Sequence, residues 1–336
     1  LQQRGIDVDC LRVVLIGVGQ IGVQSHLPAI LGHPGWSLVA MCDPRVEAVR
    51  RIGQRFGTNA RVVSDFREVL ADCDAAIIAT PNASHAEIAS ACLDRGVHVL
   101  IEKPMATTLS DAQAIVEAGA RSGRIIAVGN VTRFRANIVL LKRLLDEDRF
   151  GRVRRFYHQF GTQGGWAPES GYATDARRAG GGVLAVTGTH FLDRLLHFWG
   201  MPETLDYADD AYGGPEAHCE IAFGFDTGLR GMARYSKLFP MSGRLVLDTE
   251  GGVVALDDTD DAEIVYLPAD LPRTLNVIRE PDPGRMDPFW LQVDDFRTAI
   301  IEHRPPRVDA AQGLMSARLL DWAYRVRRDL DFGVRT

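Results

Sequence analysis

Residues 11–43, LRVVLIGVGQIGVQSHLPAILGHPGWSLVAMCD, limit what this chain can fold into more than any other segment. An apolar run over 11–16 stops at Gly17-x-Gly19-x-x-Gly22. A helical segment follows, and a second apolar run over 37–42 ends on Asp43. Each glycine has its own task in a strand–turn–helix–strand unit. Gly17 permits the tight turn, Gly19 lets backbone approach a pyrophosphate, and Gly22 lets the helix pack closely on its strand. Gln20 and Ile21 open the helix, whose unpaired N–H groups and positive dipole end suit phosphate. Asp43, 21 residues beyond Gly22, stands where a carboxylate accepts hydrogen bonds from a ribose diol. A glycine-rich turn alone is weak evidence, but here the strand, helix and terminal acid agree and predict a dinucleotide site.

At 336 residues the chain has room for two domains of ordinary size, and 46% hydrophobic with 24% charged residues is a globular composition. A net charge of −6 without a long basic run argues against nucleic acid, which needs clustered positive charge. No apolar run approaches the roughly 20 residues that span a bilayer, so no membrane partner is expected. The opening residues, LQQRGIDVDC, show no apolar signal region. They also lack Met, so the natural start is expected upstream and the expected location is cytoplasmic. Cys10, Cys42, Cys73, Cys92 and Cys219 form no C-x-x-C pair and fit reduced thiols; no metal is expected. Of 38 basic residues only Lys103, Lys142 and Lys237 are lysines, so a lysine in a cleft is easy to notice.

Beyond Asp43 the pattern keeps alternating. Helices are predicted over 44–56, 65–71, 84–95 and 110–121, with strands over 61–63, 75–79, 97–101 and 125–128. Short apolar runs without alternation, separated by helices, indicate a parallel sheet covered on both faces. Ligands of such sheets sit beyond the carboxyl ends of the strands. Those ends read Thr80-Pro81-Asn82-Ala83-Ser84-His85, Glu102-Lys103-Pro104 and Gly129-Asn130-Val131-Thr132-Arg133-Phe134. As turn residues and caps they need no ligand. Three polar strand ends on one sheet edge beside a glycine turn favour a site.

Together with the later Gly180-Gly181-Gly182…Gly188-x-His190-x-x-Asp193, these motifs resemble the glucose–fructose oxidoreductase / inositol dehydrogenase / rhizopine-catabolism (Gfo/Idh/MocA) family. The similarity runs through nearly the whole chain, in the family's order and spacing. It implies an α/β Rossmann domain with a parallel sheet over 1–130, followed by an α+β domain with a large open, mostly antiparallel sheet over 131–336. Closing helices near 286–326 are expected to pack back on the first domain. The resemblance further implies homodimers or homotetramers formed through the second sheet. It implies hydride transfer between a nicotinamide and a carbinol or ketone of a sugar, nucleotide-linked sugar or cyclitol.

The second half fits on its own physics. Residues 151–160 and 204–267 hold β-type runs without intervening helices, which suggests an antiparallel sheet and a separate domain. Residues 221–225 and 229–235 read as a hairpin across Asp226-Thr227-Gly228. Phe289, Val293, Phe296 and Ile300 repeat at helical spacing, and 310–324 gives another helix. Residues 161–180 read as a long loop over the substrate.

Hydride transfer needs a group that takes or returns the hydroxyl proton. Lys103, at a strand end, suits polarising the substrate oxygen; otherwise it is a solvated lysine. Pro104 is expected after a cis bond, as is common in the family. The family's acid/base histidine falls on His190, with Asp193 three residues on to orient its ring. Thr80, Pro81, Asn82, His85, Glu102, Lys103 and Asn130 are expected to join the glycine turn around the cofactor. Arg133, His158, Trp166, Tyr172 and Thr187 are expected to line the sugar pocket with Lys103 and His190. One departure matters: the family's aspartate four residues before the histidine is here Val186, which can neither accept a proton nor bond a hydroxyl. The enzyme then uses Lys103 and His190 alone, or Thr187 or Tyr172 stands in, or catalysis has weakened or gone and the chain is a dinucleotide-binding regulator. An NAD-dependent glycosidase is a weaker third reading. Asp43 favours NAD(H), because its charge repels a 2′-phosphate, whereas Arg45 accommodates NADP(H) if Asp43 turns aside.

Overall fold

The computed structural model describes residues 10–164, 171–211, 214–258, 263–271, 273–279 and 286–330. The chain divides into two compact units. The first takes Leu1–Ala106, Ser110–Val131 and Met286–Gly313, and the second takes Thr107–Leu109, Thr132–Arg285 and Leu314–Thr336.

The first unit is built on β1 (Leu11–Ile16), β2 (Trp36–Cys42), β3 (Arg61–Val63), β4 (Ala75–Ile78), β5 (His98–Ile101) and β6 (Ile126–Val128), in the order β3-β2-β1-β4-β5-β6. All pairs are parallel. Successive residues of β4 and β5 are all buried, as the unbroken apolar runs require, because both faces of the sheet are covered. Strand order reverses between β1 and β4, and that switch point is where such sheets bind ligands. Helices Val46–Phe56, His85–Asp94 and Leu109–Ser122 lie within two residues of their expected bounds. The expected helix over 65–71 is a 3-10 turn, Phe66–Asp72, capped by the Asp65 side chain. Helix Pro288–Ile301 closes this core: Val293, Phe296 and Ile300 pack with Leu27, Ile30 and Trp36.

The segment after the glycine turn is not a plain α-helix. A π-turn, Gly22–His26, closed by Leu27 N–H to the Gly22 carbonyl, leads into Leu27–Leu31. Pro28 has no N–H to continue the regular ladder, which accounts for the widened turn.

The second unit carries a nine-stranded mixed sheet. Its strands are β7 (Val153–Gly161), β8 (Thr204–Asp209), β9 (His218–Gly224), β10 (Arg230–Ser236), β11 (Met241–Thr249), β12 (Gly252–Asp257), β13 (Ile264–Pro268), β14 (Asn276–Ile278) and β15 (Arg328–Asp329). The order is β14-β13-β12-β11-β7-β10-β9-β8-β15. Most pairs are antiparallel, but β7 with β10 and β8 with β15 are parallel. The expected hairpin is β9–β10, turned at Gly228 with φ +85°. Alternate residues point inward: Phe156 and His158, Ala233 and Tyr235, Leu245 and Leu247, Val254 and Leu256. They pack with Leu141 and Leu144, with Phe191, Leu192 and Leu195, and with Leu319 and Ala323, which come from helices Ala136–Asp146, Thr189–Trp199 and Ala310–Arg325. No helix among the described residues is long and apolar enough to cross a membrane.

Candidate functional site

In the first unit, the carboxyl ends of β1, β2, β4 and β5 bring the expected residues to one sheet edge. Gly17 has φ +94°, and a Cβ there would lie 2.5 Å from the Ala79 carbonyl carbon and 2.6 Å from Thr80 N. A Cβ on Gly22 would stand 2.4 Å from the Gly17 carbonyl oxygen, so both glycines are required by neighbouring backbone. Gly19 differs: nothing lies within 4 Å of its Cβ position, which leaves open the space a pyrophosphate would take. Gln20 and Ile21 beside it are exposed. The turn therefore fits a dinucleotide.

Asp43 is buried at the end of β2. Its carboxylate accepts from Val18 N–H at 3.1 Å, from Arg45 N–H at 3.0 Å, and from the Arg45 guanidinium at 3.0 and 3.1 Å. Burial pushes its pKa up, but the bonds to Arg45 and Val18 outweigh that and hold it below the usual carboxylate value. The sequence suggests that a 2′-phosphate would enter with Asp43 turned aside. Instead the two backbone N–H groups pin Asp43 in place, and the half-exposed Arg45 folds over it and screens its charge.

Thr80 and Pro81 are half-buried at the end of β4, with Asn82 buried behind them. Between Val97 and Ala106 every residue is buried except Lys103, so its side chain alone reaches out of that segment. The Lys103–Pro104 peptide is cis, as expected. Two neighbours expected at the cofactor serve the scaffold instead. His85 is fully buried, with Nδ1 3.1 Å from the Pro104 carbonyl and Nε2 3.0 Å from the Thr80 carbonyl. It straps the ends of β4 and β5 together, and burial lowers its pKa. Glu102 is buried against His26, whose Nε2 lies 2.8 Å from its Oε1. Asn130, 2% exposed, sits inside the turn after β6.

In the second unit the second group of candidates lies on one helical stretch. A π-turn, Leu184–Gly188, runs directly into helix Thr189–Trp199. From Gly182 to Leu196 every residue is buried except Val186, Thr187 and His190. Residues four apart share a helix face, so these three form one accessible stripe. The acid missing at Val186 is therefore missing from the accessible face, and the Thr187 hydroxyl is the polar group beside it. Tyr172 opens a short 3-10 turn, Tyr172–Thr174, and is half-buried; Trp166 lies outside the described residues.

Two expected pocket residues are core residues. Arg133 is 3% exposed and forms a two-point ion pair with Asp193, Nε to Oδ2 at 2.6 Å and Nη2 to Oδ1 at 2.9 Å. Both oxygens of Asp193 are thus committed to Arg133, which ties the helix of His190 to residues 131–134. His158 stacks on Phe191 and bonds Asp258 (2.8 Å) and the Tyr235 hydroxyl (3.1 Å). Asp258 also pairs with the buried Arg194, one residue after Asp193. Charged groups buried in this way persist only when paired.

One residue unforeseen in the sequence, with the tyrosine it accepts from, accounts for two of the three glycines 180–182. Glu216, buried, accepts from Gly182 N–H at 2.7 Å, Leu184 N–H at 2.9 Å and the Tyr324 hydroxyl at 2.8 Å. It caps the helical stretch that presents Thr187 and His190. A Cβ on Gly181 would stand 2.0 Å from the Tyr324 hydroxyl oxygen, and one on Gly182 would stand 2.1 Å from the Glu216 carbonyl oxygen. Nothing near Glu216 in the sequence signals this; it follows the turn Gly214-Pro215.

Comparison with known proteins agrees with the fold. Residues 11–130 match the model of the GFO_IDH_MocA oxidoreductase family, NAD-binding Rossmann fold, and residues 138–255 match the GFO/IDH/MocA C-terminal domain. A putative UDP-kanosamine synthase oxidoreductase subunit of Amycolatopsis mediterranei is 31% identical over 56% of this chain and 52% of its own length. The scyllo-inositol 2-dehydrogenase (NADP(+)) IolW of Bacillus subtilis is 27% identical over 59% and 54%. The chain spans about half the length of these curated relatives. The crystal structure of an aldose-aldose oxidoreductase from Caulobacter crescentus, complexed with glycerol, shares the fold: TM-score 0.85, 22% identity, covering 94% of this chain and 97% of that one.

Proposed function

This chain belongs to the Gfo/Idh/MocA oxidoreductase family, and from that premise we propose that it moves a hydride between a nicotinamide and a carbinol or ketone carbon of a sugar, nucleotide-linked sugar or cyclitol. The observation that carries this is the single sheet edge on which four adjacent strand ends present the glycine turn, Asp43, Thr80-Pro81 and the one outward residue Lys103. A bound nicotinamide supplies the hydride acceptor or donor. Gly17, Gly19 and Gly22 with Gln20 and Ile21 hold the pyrophosphate, and Asp43 with Arg45 holds the adenosine ribose. Thr80, Pro81, Asn82 and Asn130 shape the nicotinamide end. Lys103 donates a hydrogen bond to the substrate oxygen and His190 carries its proton, with Thr187 and Tyr172 binding neighbouring hydroxyls.

NAD(H) is the proposed cofactor. NADP(H) is the second choice, because Arg45 both screens Asp43 and offers a cation to a 2′-phosphate. A reducing, cytoplasmic setting belongs to this reading, supported by five free thiols, four of them buried. So does a homo-oligomer formed through the outer sheet face, where Met232 and Val253 are exposed.

The test is a panel of sugars, nucleotide sugars and cyclitols with NAD+ and NADP+, read by nicotinamide absorbance. Turnover that disappears in Lys103→Ala supports the reading, and undiminished turnover in that variant overturns the lysine's role. Val186 on the accessible stripe favours one alternative, a dinucleotide-binding regulator. Tight NADH binding without turnover across the panel, unrestored by Val186→Asp, would establish it.

A further inference from the structure

The geometry points to His26 and Glu102 as positioning residues for Lys103, acting through a buried carboxylate held between the glycine-turn helix and the lysine's own backbone. His26 ends the π-turn Gly22–His26 and is 0% exposed. Its Nε2 lies 2.8 Å from Glu102 Oε1, so this nitrogen carries the proton and donates. The other oxygen, Oε2, accepts the backbone N–H of Lys103 at 3.1 Å. The Phe289 ring packs edge-on against His26, 5.3 Å between centroids.

The end of β6 is shaped to admit this carboxylate. A Cβ on Gly129 would stand 2.9 Å from Glu102 Cα and 3.0 Å from both its Cδ and Oε2. The titratable groups facing Glu102 are His26, Lys103 and His85, all bases. Burial opposes its charge, yet the His26 bond and the charges of His26 and Lys103 outweigh it, and the carboxyl stays below its usual range.

A buried carboxylate is costly unless paired, and an apolar side chain would pack this position without that cost. What the carboxylate adds is a fixed negative charge beside the one lysine at the sheet edge, together with a fixed direction for that lysine's backbone. The Lys103 charge acts on this carboxylate, and an opposite charge nearby favours the ammonium form. The π-turn brings His26 to Glu102, so the segment that follows the pyrophosphate turn also holds the proton-handling lysine in place. This inference rests on reading Lys103 as the reacting lysine, but its physical content is measurable without substrate.

The chain has only three lysines, so reductive methylation with 13C-formaldehyde gives a resolvable signal for each, and Lys103→Arg identifies the one of interest. We expect Glu102→Gln to lower the Lys103 titration midpoint by about one pH unit, with Lys142 and Lys237 unmoved as internal controls. His26→Leu should lower it part of the way. His26→Gln, which keeps an N–H donor for Glu102, should return it toward the parent value. Far-UV circular dichroism and NADH fluorescence verify that each protein is folded. If Glu102→Gln does not fold, the two His26 variants carry the test. One Lys103 midpoint shared by the parent and every folded variant overturns the inference. A shifted midpoint combined with intact turnover in Lys103→Ala would instead refute the functional reading and leave the positioning role standing.

Discussion

Replacing Glu216 with alanine removes the shared acceptor of three buried donors: Gly182 N–H, Leu184 N–H and the Tyr324 hydroxyl. A buried donor left without a partner costs about 1–3 kcal/mol. Part of that loss is offset, because burial already disfavours the Glu216 charge and pushes its pKa up. The expected destabilisation is therefore near the low end of the sum, about 3–4 kcal/mol. Glu216→Gln keeps one acceptor oxygen but turns an amide N–H toward another donor, and should cost about 1–2 kcal/mol. Tyr324→Phe should cost about 1 kcal/mol alone and almost nothing in the Glu216→Ala background, a coupling that a double-mutant cycle measures. Because a chain of two units need not unfold in one step, the decisive assay is local. Hydrogen exchange over 182–190 should accelerate in Glu216→Ala and far less in Glu216→Gln. Turnover should fall with it, since this stretch presents His190. Unchanged protection in Glu216→Ala, with stability equal to that of Glu216→Gln, would refute the capping argument.

Two further outcomes follow from buried charge. Arg133→Met strands the Asp193 carboxylate and should cost about 3–5 kcal/mol, whereas Arg133→Met/Asp193→Leu should recover most of that loss in thermal melts; costs that simply add would show that the pair is not coupled. His98 is held down to about 4 by burial, and His85 and His158 are also lowered by burial. An imidazole depressed in the folded state contributes stability that is complete above its ordinary value of 6.5 and is lost as pH falls toward the folded value. Tm should therefore decline steadily between pH 7 and pH 4, and a Tm that rises on acidification contradicts the buried-neutral assignment.

What could be read in advance, and what could not, divides along sequence distance. The strands of the first sheet are continuous apolar runs because both faces are covered, and that pattern is local. The glycine turn was legible for the same reason: its required contacts lie at a strand end whose own pattern is plain. His85 looked like a ligand residue because a polar side chain after Thr80-Pro81-Asn82 carries no mark of its partner, a carbonyl 19 residues later. Arg133 and Asp193, 60 residues apart, are read from the sequence against substrate and against His190, although they face each other. The parallel pairing of β7 with β10 is not legible in the sequence, since neither run carries a mark of a partner some 70 residues away. His26, directly after Gln24 and Ser25, carries no mark of its burial either, although it is buried with Leu27, Ala29 and Ile30.

Helix Pro288–Ile301 has a consequence for how the protein is made. It belongs to the first unit, where the Val293 carbonyl accepts from the Trp36 indole N–H at 3.1 Å, Asp294 meets His33 at 3.0 Å, and Phe296 stacks on Trp36. A chain leaving the ribosome has finished the parallel sheet long before this helix emerges, and the whole run from β7 to β14 is synthesised in between. Domains ordinarily complete in order of synthesis. Here the first to begin is not the first to end: the nucleotide-binding half waits, with Trp36 and Leu27 uncovered, until the intervening sheet has been delivered. Nascent chains halted before residue 288 should thus expose an apolar surface that the finished protein never shows.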